Sequence, residues 1–541
     1  MLKNRLFLYN KLTKCTRFAS SSIAELENEA DLKEFRKTAV TAVNANTNDR
    51  SIVQIEPKTR VMKRFRREFN LPQKAIDGLR NALITCERST KQLQNEADQL
   101  TNKLEQRRFP ESPEKLKAVR DEVKRKLEMS RKNDDDGSEK ELNEAFGGKI
   151  KEAQNYQLKN EVDKILKKAS YNWRPLEITT KEAAAAYSLS RLAPNYAEIS
   201  RVLEEFNAMP DFQPTTLLDY GSGSGAGFWA ATNYWKELKE VTMVDLSDAM
   251  TRFSMDSMRK EKSSIPGMDD GKPFVHDNIN FRRHLVPSAN TTYDVVLAHR
   301  ILCEIGSSET RIQLIESLWK RTNRFLILIE SGQIGAFGGI LEARDYLLSS
   351  GTTVDYRKLV DILQAKQMLS QEILDVFEND RLSDYEKFVI LTEMLPESIE
   401  IPTVVPTATV FAPCPHDLGC PMGVKSACTF STRFQPIRAD GKRSERESDG
   451  SEVSKFTFMI LEKGNRTPNT HTDRIMVNRK LGGHVTCDVC TAFRGIQRIT
   501  LSKKKHGNMY TELRSRRDGD VLPLKLKTVA TEGIFDVSLR E

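Results

Sequence analysis

The 541-residue chain contains no run of eighteen or more apolar residues, so no segment is suited to cross a bilayer as a helix. No internal repeat occurs, and a stacked-repeat architecture is not expected. Acids are missing before Glu25, and aromatics are scarce between Glu25 and Ala169. Net charge is weak as well: 84 Lys and Arg stand against 76 Asp and Glu, too mild an excess to define a partner by itself. Cysteine is sparse until late in the chain, with only Cys15, Cys86 and Cys303 before Cys414. The length exceeds a single ordinary core, so two or three folded units are expected.

What is present is strongly segregated. Residues 1–24, MLKNRLFLYNKLTKCTRFASSSIA, interleave Lys3, Arg5, Lys11, Lys14 and Arg17 with Leu2, Leu6, Phe7, Leu8 and Leu12, as a mitochondrial transit peptide does. The expected destination is the mitochondrial matrix. Residues 25–175 are dense in Lys, Glu, Arg, Asn and Gln and read as exposed helices and arms, with a flexible break at Asp134 to Glu141. Helices of this kind pack on a partner or scaffold rather than carry chemistry.

Between 176 and 395 short apolar runs alternate with helical patterns: TTLLDY (215–220), VTMVDL (241–246), YDVVLAH (293–299) and RFLILIE (324–330). That alternation predicts an α/β unit with a mainly parallel sheet. After the first run comes LLDYGSGSGAGFWAA, glycines where a backbone must turn and a ligand must approach without a Cβ in the way. The D-x-G-x-G-x-G order resembles the first motif of class I methyltransferases, a Rossmann-like fold. The resemblance implies S-adenosylmethionine as cofactor, with Asp219 near its methionyl amino group and Gly221, Gly223 and Gly225 passing beneath it. Asp245, ending the next run, stands where such proteins hold the ribose hydroxyls. The Pro-Pro-(Tyr/Phe) loop of amino-group methyltransferases is absent; its place reads AHRILCEIG, in which His299, Cys303 and Glu304 read as ordinary strand-end and helix residues. No catalytic residue is assigned.

From 396 to 541 the composition turns to Pro and Cys and then to short β-branched runs, predicting a small β-rich domain with a metal-stapled entrance. Cys414, Cys420 and Cys428 lie in CPHDLGCP and the ACTFS that follows, and Cys487 and Cys490 in HVTCDVC. Metal ligation is the first explanation for such clustering in a reducing compartment. Residues three apart on a strand face opposite sides, so one of Cys487 and Cys490 is the fourth ligand. Four thiolates suit either an iron-sulfur cluster or zinc, and the wide C-x5-C-x7-C loop leans towards the cluster. His416 reads as a loop residue. The C-x3-C-x2-C of radical S-adenosylmethionine enzymes is absent. Between Arg474 and Arg517 eleven Lys or Arg face two acids, a patch suited to a phosphate backbone.

SRLAPNYAEISRVL, LLDYGSGSGAG, LEARDYLL, CPHDLGCP and GHVTCDVCT together resemble the methyltransferase-like protein 17 family of mitochondrial small-ribosomal-subunit assembly factors, over about residues 180–525. The resemblance implies a four-iron four-sulfur cluster on Cys414, Cys420, Cys428 and Cys490, with Cys487 the alternative fourth ligand. It also implies docking on the small subunit, its ribosomal RNA, ribosomal proteins and other assembly factors, in support of mitochondrial translation and with doubtful methyltransferase activity. An active S-adenosylmethionine-dependent rRNA methyltransferase is the rival. The phosphate-contact candidates are Arg479, Lys480, Arg498, Lys503, Lys504, Lys505, Arg514, Arg516 and Arg517. Two departures stand out: Glu330-Ser331-Gly332-Gln333 replaces the family's Glu-Pro-Gly-Thr, and Thr491-Ala492-Phe493-Arg494-Gly495 replaces its Thr-Pro-(Asp/Glu)-Gly.

Overall fold

A computed structural model of the chain describes residues 53–58, 64–110, 113–133, 149–168, 173, 175–260, 273–288, 290–379, 381–396, 398–422, 426–442, 449–464, 473–492 and 495–528. The expected transit peptide and the break at Asp134 to Glu141 lie outside these residues. A short strand β1 (Val53–Pro57) precedes four helices: α1 (Gln73–Ile84), α2 (Thr90–Gln106), α3 (Pro113–Asn133) and α4 (Lys149–Lys168). Although α1 and α2 are polar in composition, each carries one apolar stripe, Ala75, Leu79 and Ala82 on the first and Leu93 and Ala97 on the second. Both stripes enter the core that holds Ala185, Leu189 and Ile199 of α5 (Lys181–Leu203). A Cβ on Gly78 would come within 1.9 Å of the Ser257 carbonyl, so the crossing of α1 requires glycine. The first half of the charged region is therefore part of the folded body. Helices α3 and α4 pair with each other through Arg120 and Asp163, 2.7 Å apart.

The four apolar runs become β2 (Thr216–Tyr220), β3 (Glu240–Val244), β5 (Tyr293–His299) and β6 (Thr322–Ser331), with a short β4 (Ile279–Arg282) beside β3. These five strands are parallel. Helices α6 (Ala226–Tyr234), α7 (Asp248–Ser257) and α8 (Ser308–Arg321) connect them. Ser247 and Ser307 cap α7 and α8 by accepting from Met250 N–H and Thr310 N–H. Helix α9 (Ile334–Thr352) follows β6, and α10 (Tyr356–Ala365), α11 (Gln371–Glu378) and α12 (Asp384–Met394) form a side bundle with its own core around Leu359, Leu363 and Leu391.

The sheet does not end there. Strands β7 (Ala408–Ala412), β8 (Phe430–Phe434) and β9 (Glu452–Lys463) join it, giving the order β4-β3-β2-β5-β6-β9-β7 with β8 also on β9. β9 runs antiparallel to both neighbours and slots between β6 and β7. The boundary expected at 395/396 therefore runs through the sheet. A shift to Pro and Cys marks a loop inserted between two strands as readily as a linker between domains. Along the outer edge of β9, β7 pairs as far as Ile460 and β8 begins at Phe456, and the loop bearing Cys414, Cys420 and Cys428 leaves and returns at that gap.

The remainder is the expected small β unit: β10 (Arg474–Lys480), β11 (His484–Thr491) and β12 (Gly495–Ser502) form an antiparallel sheet backed by α13 (Lys503–Ser515). Helix α13 is broken at Gly507, whose φ is 44°. The last strand, β13 (Leu524–Thr528), pairs with β1.

Candidate functional site

Gly221, Gly223 and Gly225 all adopt left-handed φ values of 70°, 50° and 82° between β2 and α6. At two of them the chain itself occupies the freed space. A Cβ on Gly221 would lie 1.8 Å from the Ile301 side chain, and one on Gly225 2.1 Å from Met258. Gly223 alone is open, with Tyr187 at ordinary contact distance. Asp245 sits at the mouth of the loop and accepts from Gly223 N–H and Ser247 N–H, both at 2.9 Å. Its carboxylate retains acceptor capacity for two further hydrogen bonds, the demand of a ribose diol, so the residues present fit a nucleoside there. Asp219 lies deeper than Asp245. It is buried under Gly227, accepts from Phe228 N–H, and burial pushes its carboxyl up to about 7. Its second oxygen, Oδ2, is buried without a hydrogen-bond donor.

The chemistry-bearing residues after β5 are all engaged. His299 Nε2 lies 2.9 Å from Glu198 Oε2, and Arg300 Nη2 2.6 Å from Glu198 Oε1. Burial by itself would raise the Glu198 carboxyl, but Arg300, the His299 hydrogen bond and Arg191 outweigh it and hold the group well below the usual carboxylate range. Burial also lowers His299, against the opposing pull of Glu198. Glu304 takes a bidentate contact from Arg107 and accepts from Leu176 N–H, while the Cys303 carbonyl accepts from Trp173. Glu330 closes the loop from beneath by accepting from Leu302 N–H at 2.7 Å, and burial pushes it to about 7. Glu198 was not legible as a site residue: NYAEISR reads as plain amphipathic helix.

The cysteines divide cleanly. Cys414, Cys428 and Cys490 each lie close enough to feel charge on others of the set, Cys420 included. Cys487 points away, into the core formed by Val485, Val489 and Leu501. Burial pushes Cys414 to about 11 and Cys490 to about 12, values at which a thiol stays protonated at neutral pH unless a metal takes the proton's place. Cys420 additionally accepts from Met422 N–H, a contact that favours the thiolate. Among the described residues, no three Cys, His, Asp or Glu side chains converge as a single ion requires. His416, read from sequence as a loop residue, is buried with Nε2 3.6 Å from Cys490 Sγ.

Two buried arginines border this set and were not singled out by the sequence. Arg474 forms a bidentate pair with Glu205, 2.8 and 3.1 Å, and donates to the Pro413 carbonyl. Arg344, on α9, donates to the His416 and Leu418 carbonyls.

The basic candidates are unequal. Arg479 and Arg498 share Asp488, at 2.8 and 2.6 Å. Arg514 donates to the Leu481 carbonyl, and Lys503, Lys504 and Lys505 are exposed. Arg516, by contrast, is buried at 4% exposure, its guanidinium 3.9 Å from Glu512. Lys480 and Arg517 instead line a cleft of about 420 Å³ between the two sheets, together with Arg66, Arg67, Arg201 and Arg433 and against only Asp518 and Asp520. Arg66, Arg201 and Arg433 are paired with Glu204, Glu205 and Asp449. Among the described residues Arg67 and Lys480 have no carboxylate partner, and Arg517 Nε is buried without an acceptor. No described helix is long and apolar enough to cross a membrane.

The family described as mitochondrial small ribosomal subunit Rsm22 matches residues 181–358 and 346–523. The human protein named ribosome assembly protein METTL17, mitochondrial, is 28% identical over 458 residues, 84% of this chain and 83% of that protein. Rsm22-cox11 tandem protein 2, mitochondrial, of Schizosaccharomyces pombe is 21% identical over 391 residues, covering 65% of this chain and 44% of its own length. Among solved structures, an O-methyltransferase family protein from Burkholderia thailandensis overlaps 34% of this chain and 54% of its own at 16% identity, with a TM-score of 0.23.

Proposed function

Because the chain belongs to the mitochondrial small ribosomal subunit Rsm22 family, we propose that it is a mitochondrial assembly factor for the small ribosomal subunit that docks on ribosomal RNA. The similarity to a protein named for ribosome assembly supports the process. The observation that carries the RNA contact is the arginine-lined cleft between the sheets, where Arg67, Lys480 and Arg517 keep unbalanced charge in a concave surface. Lys503, Lys504 and Lys505 extend it at the rim as phosphate contacts, with Arg479, Arg498 and Arg514 beside them.

Cys414, Cys420, Cys428 and Cys490 would hold a four-iron four-sulfur cluster. What supports this reading is a set of four thiols close enough to interact electrostatically, brought together from the inserted loop and β11. Zinc is the alternative. When bound, the cluster would tie the inserted loop to β11 and so fix the small sheet against the nucleotide domain. S-adenosylmethionine would lie over Gly223 with Asp245 on its ribose. No observation favours methyl transfer, since His299, Cys303 and Glu304 are all held by protein partners.

The test is RNA binding by the purified chain against salt. Replacing Arg67, Lys480 and Arg517 by Ala together is expected to reduce the slope of log affinity on log salt by about 2, the loss of three single-strand phosphate contacts. An unchanged slope overturns the cleft as the RNA site.

A further inference from the structure

Arg344 is 1% exposed, and its only carboxylate among the described residues is Asp345, whose side chain is 47% exposed. Its other contacts are the carbonyls of His416 and Leu418, and Nε is buried with no acceptor. Arg474, the second arginine at this place, differs: its charge is met by the equally buried Glu205. Burying a guanidinium against carbonyls and a solvent-facing acid is unfavourable unless a further anion stands close. The groups that face Arg344 are the loop from Cys414 to Cys420 and the two thiols at its ends. Thiols are neutral. The same groups as metal-bound thiolates are anionic, and a four-thiolate cluster carries net negative charge as a whole.

We propose that Arg344 is the positioning residue of the cysteine site: its buried, unbalanced guanidinium compensates the charge of the thiolate-ligated group, while its hydrogen bonds to His416 and Leu418 fix the loop that presents Cys414 and Cys420. This rests on the cluster reading above. The geometry makes α9 the physical link between the nucleotide domain and the metal. Arg344 sits nine residues C-terminal to Gly335, and the same helix packs behind the loop that follows β5. In sequence Arg344 looks like any cation on an amphipathic helix, because LEARDYLL does not reveal which face meets a loop seventy residues away.

The experiment uses the full chain purified without oxygen, as wild type, Arg344→Met, Arg344→Lys and, as a buried arginine remote from the cysteines, Arg321→Met. Iron, acid-labile sulfide, absorbance near 400 nm, release of iron to a chelator and midpoint potential are read, with circular dichroism reporting the fold. Arg344→Met is expected to fold and to hold iron about 10–100-fold more weakly, the usual loss for a group that orients metal ligands. Its residual cluster should have a more negative potential, because the added electron loses a neighbouring positive charge. Arg321→Met should keep wild-type iron. Arg344→Lys keeps the charge without the two-carbonyl fork, so its potential should stay near wild type while iron leaves faster. Wild-type iron retention and potential in both Arg344 variants overturn the proposal and leave the cluster reading intact. Absence of iron and sulfide from the wild type overturns that reading, and this inference with it.

Discussion

The glycine loop and the cysteine loop are both legible in sequence as binding sites, but the folded chain treats them differently. At the glycine loop the molecule fills most of the space itself and engages most of its polar groups, with Asp219 Oδ2, Ser224 Oγ and Glu330 Oε2 as the exceptions. Ile301 and Met258 fill the spaces that Gly221 and Gly225 leave, one backbone N–H reaches each oxygen of Asp245, and Glu198 gathers His299, Arg300 and Ser454 around itself. At the cysteine loop it leaves demands unmet: four thiols of raised pKa, three half-buried and Cys490 buried, and an arginine without a buried counter-charge. A site that closes on itself acts as a platform, whereas one that does not needs a ligand. The function proposed for this chain follows that division.

The sharpest way to break the comparison is a rescue experiment in cells depleted of the protein. Cys420→Ser is expected to abolish both bound iron and small-subunit assembly, while Gly223→Arg supports assembly. The glycine position has room for a Cβ and costs only about 1–2 kcal/mol in left-handed strain. Failure of a folded, iron-replete Gly223→Arg chain would make the nucleotide site essential and return the methyltransferase rival to first place. The next effect is on stability. Glu198→Gln leaves His299, Arg300 and Arg191 without their shared charge and should destabilise the chain by about 3–5 kcal/mol in denaturant unfolding. Iron per folded chain should not change, because the network lies under the glycine loop. Iron loss in step with Glu198→Gln would mean that the two sites are one cooperative unit.

Much of the sheet could be read in advance because β2, β3, β5 and β6 are buried on both faces and appear as unbroken apolar runs. β4 was missed: it is four residues long and half-buried. That β7 and β9 complete the same sheet was also hidden, since it depends on pairing with β6 across more than a hundred residues and not on local pattern. The period of two along HVTCDVCT could separate Cys487 from Cys490 but not say which faced the other cysteines; that followed from the fold, where Val485, Cys487 and Val489 share the core side. Arg344, Arg474 and Glu198 went unread for one reason. A charge on an amphipathic helix or strand reads as solvated, and only tertiary packing shows it buried.

The smallest predicted effect tests whether the glycine loop really is self-contained. Asp219 is 2% exposed and keeps one oxygen without a donor, so burial pushes it to about 7, far above the unfolded value of about 3.9. The native state therefore binds a proton that the unfolded chain releases. The stabilisation is fully present below about pH 4 and is lost as pH rises through about 7. Asp219→Asn, which keeps the shape and the acceptor for Phe228 N–H without the charge, should be more stable than wild type at pH 8 and equal to it near pH 4. Glu330, also near 7, leaves a residual slope that Glu330→Gln removes. Parallel stability curves for wild type and Asp219→Asn from pH 5 to 9 would mean that Asp219 is ionised in the folded chain. A buried carboxylate with no donor on one oxygen would then be a second unmet demand, and the glycine loop would join the cysteine loop as a site waiting for a ligand.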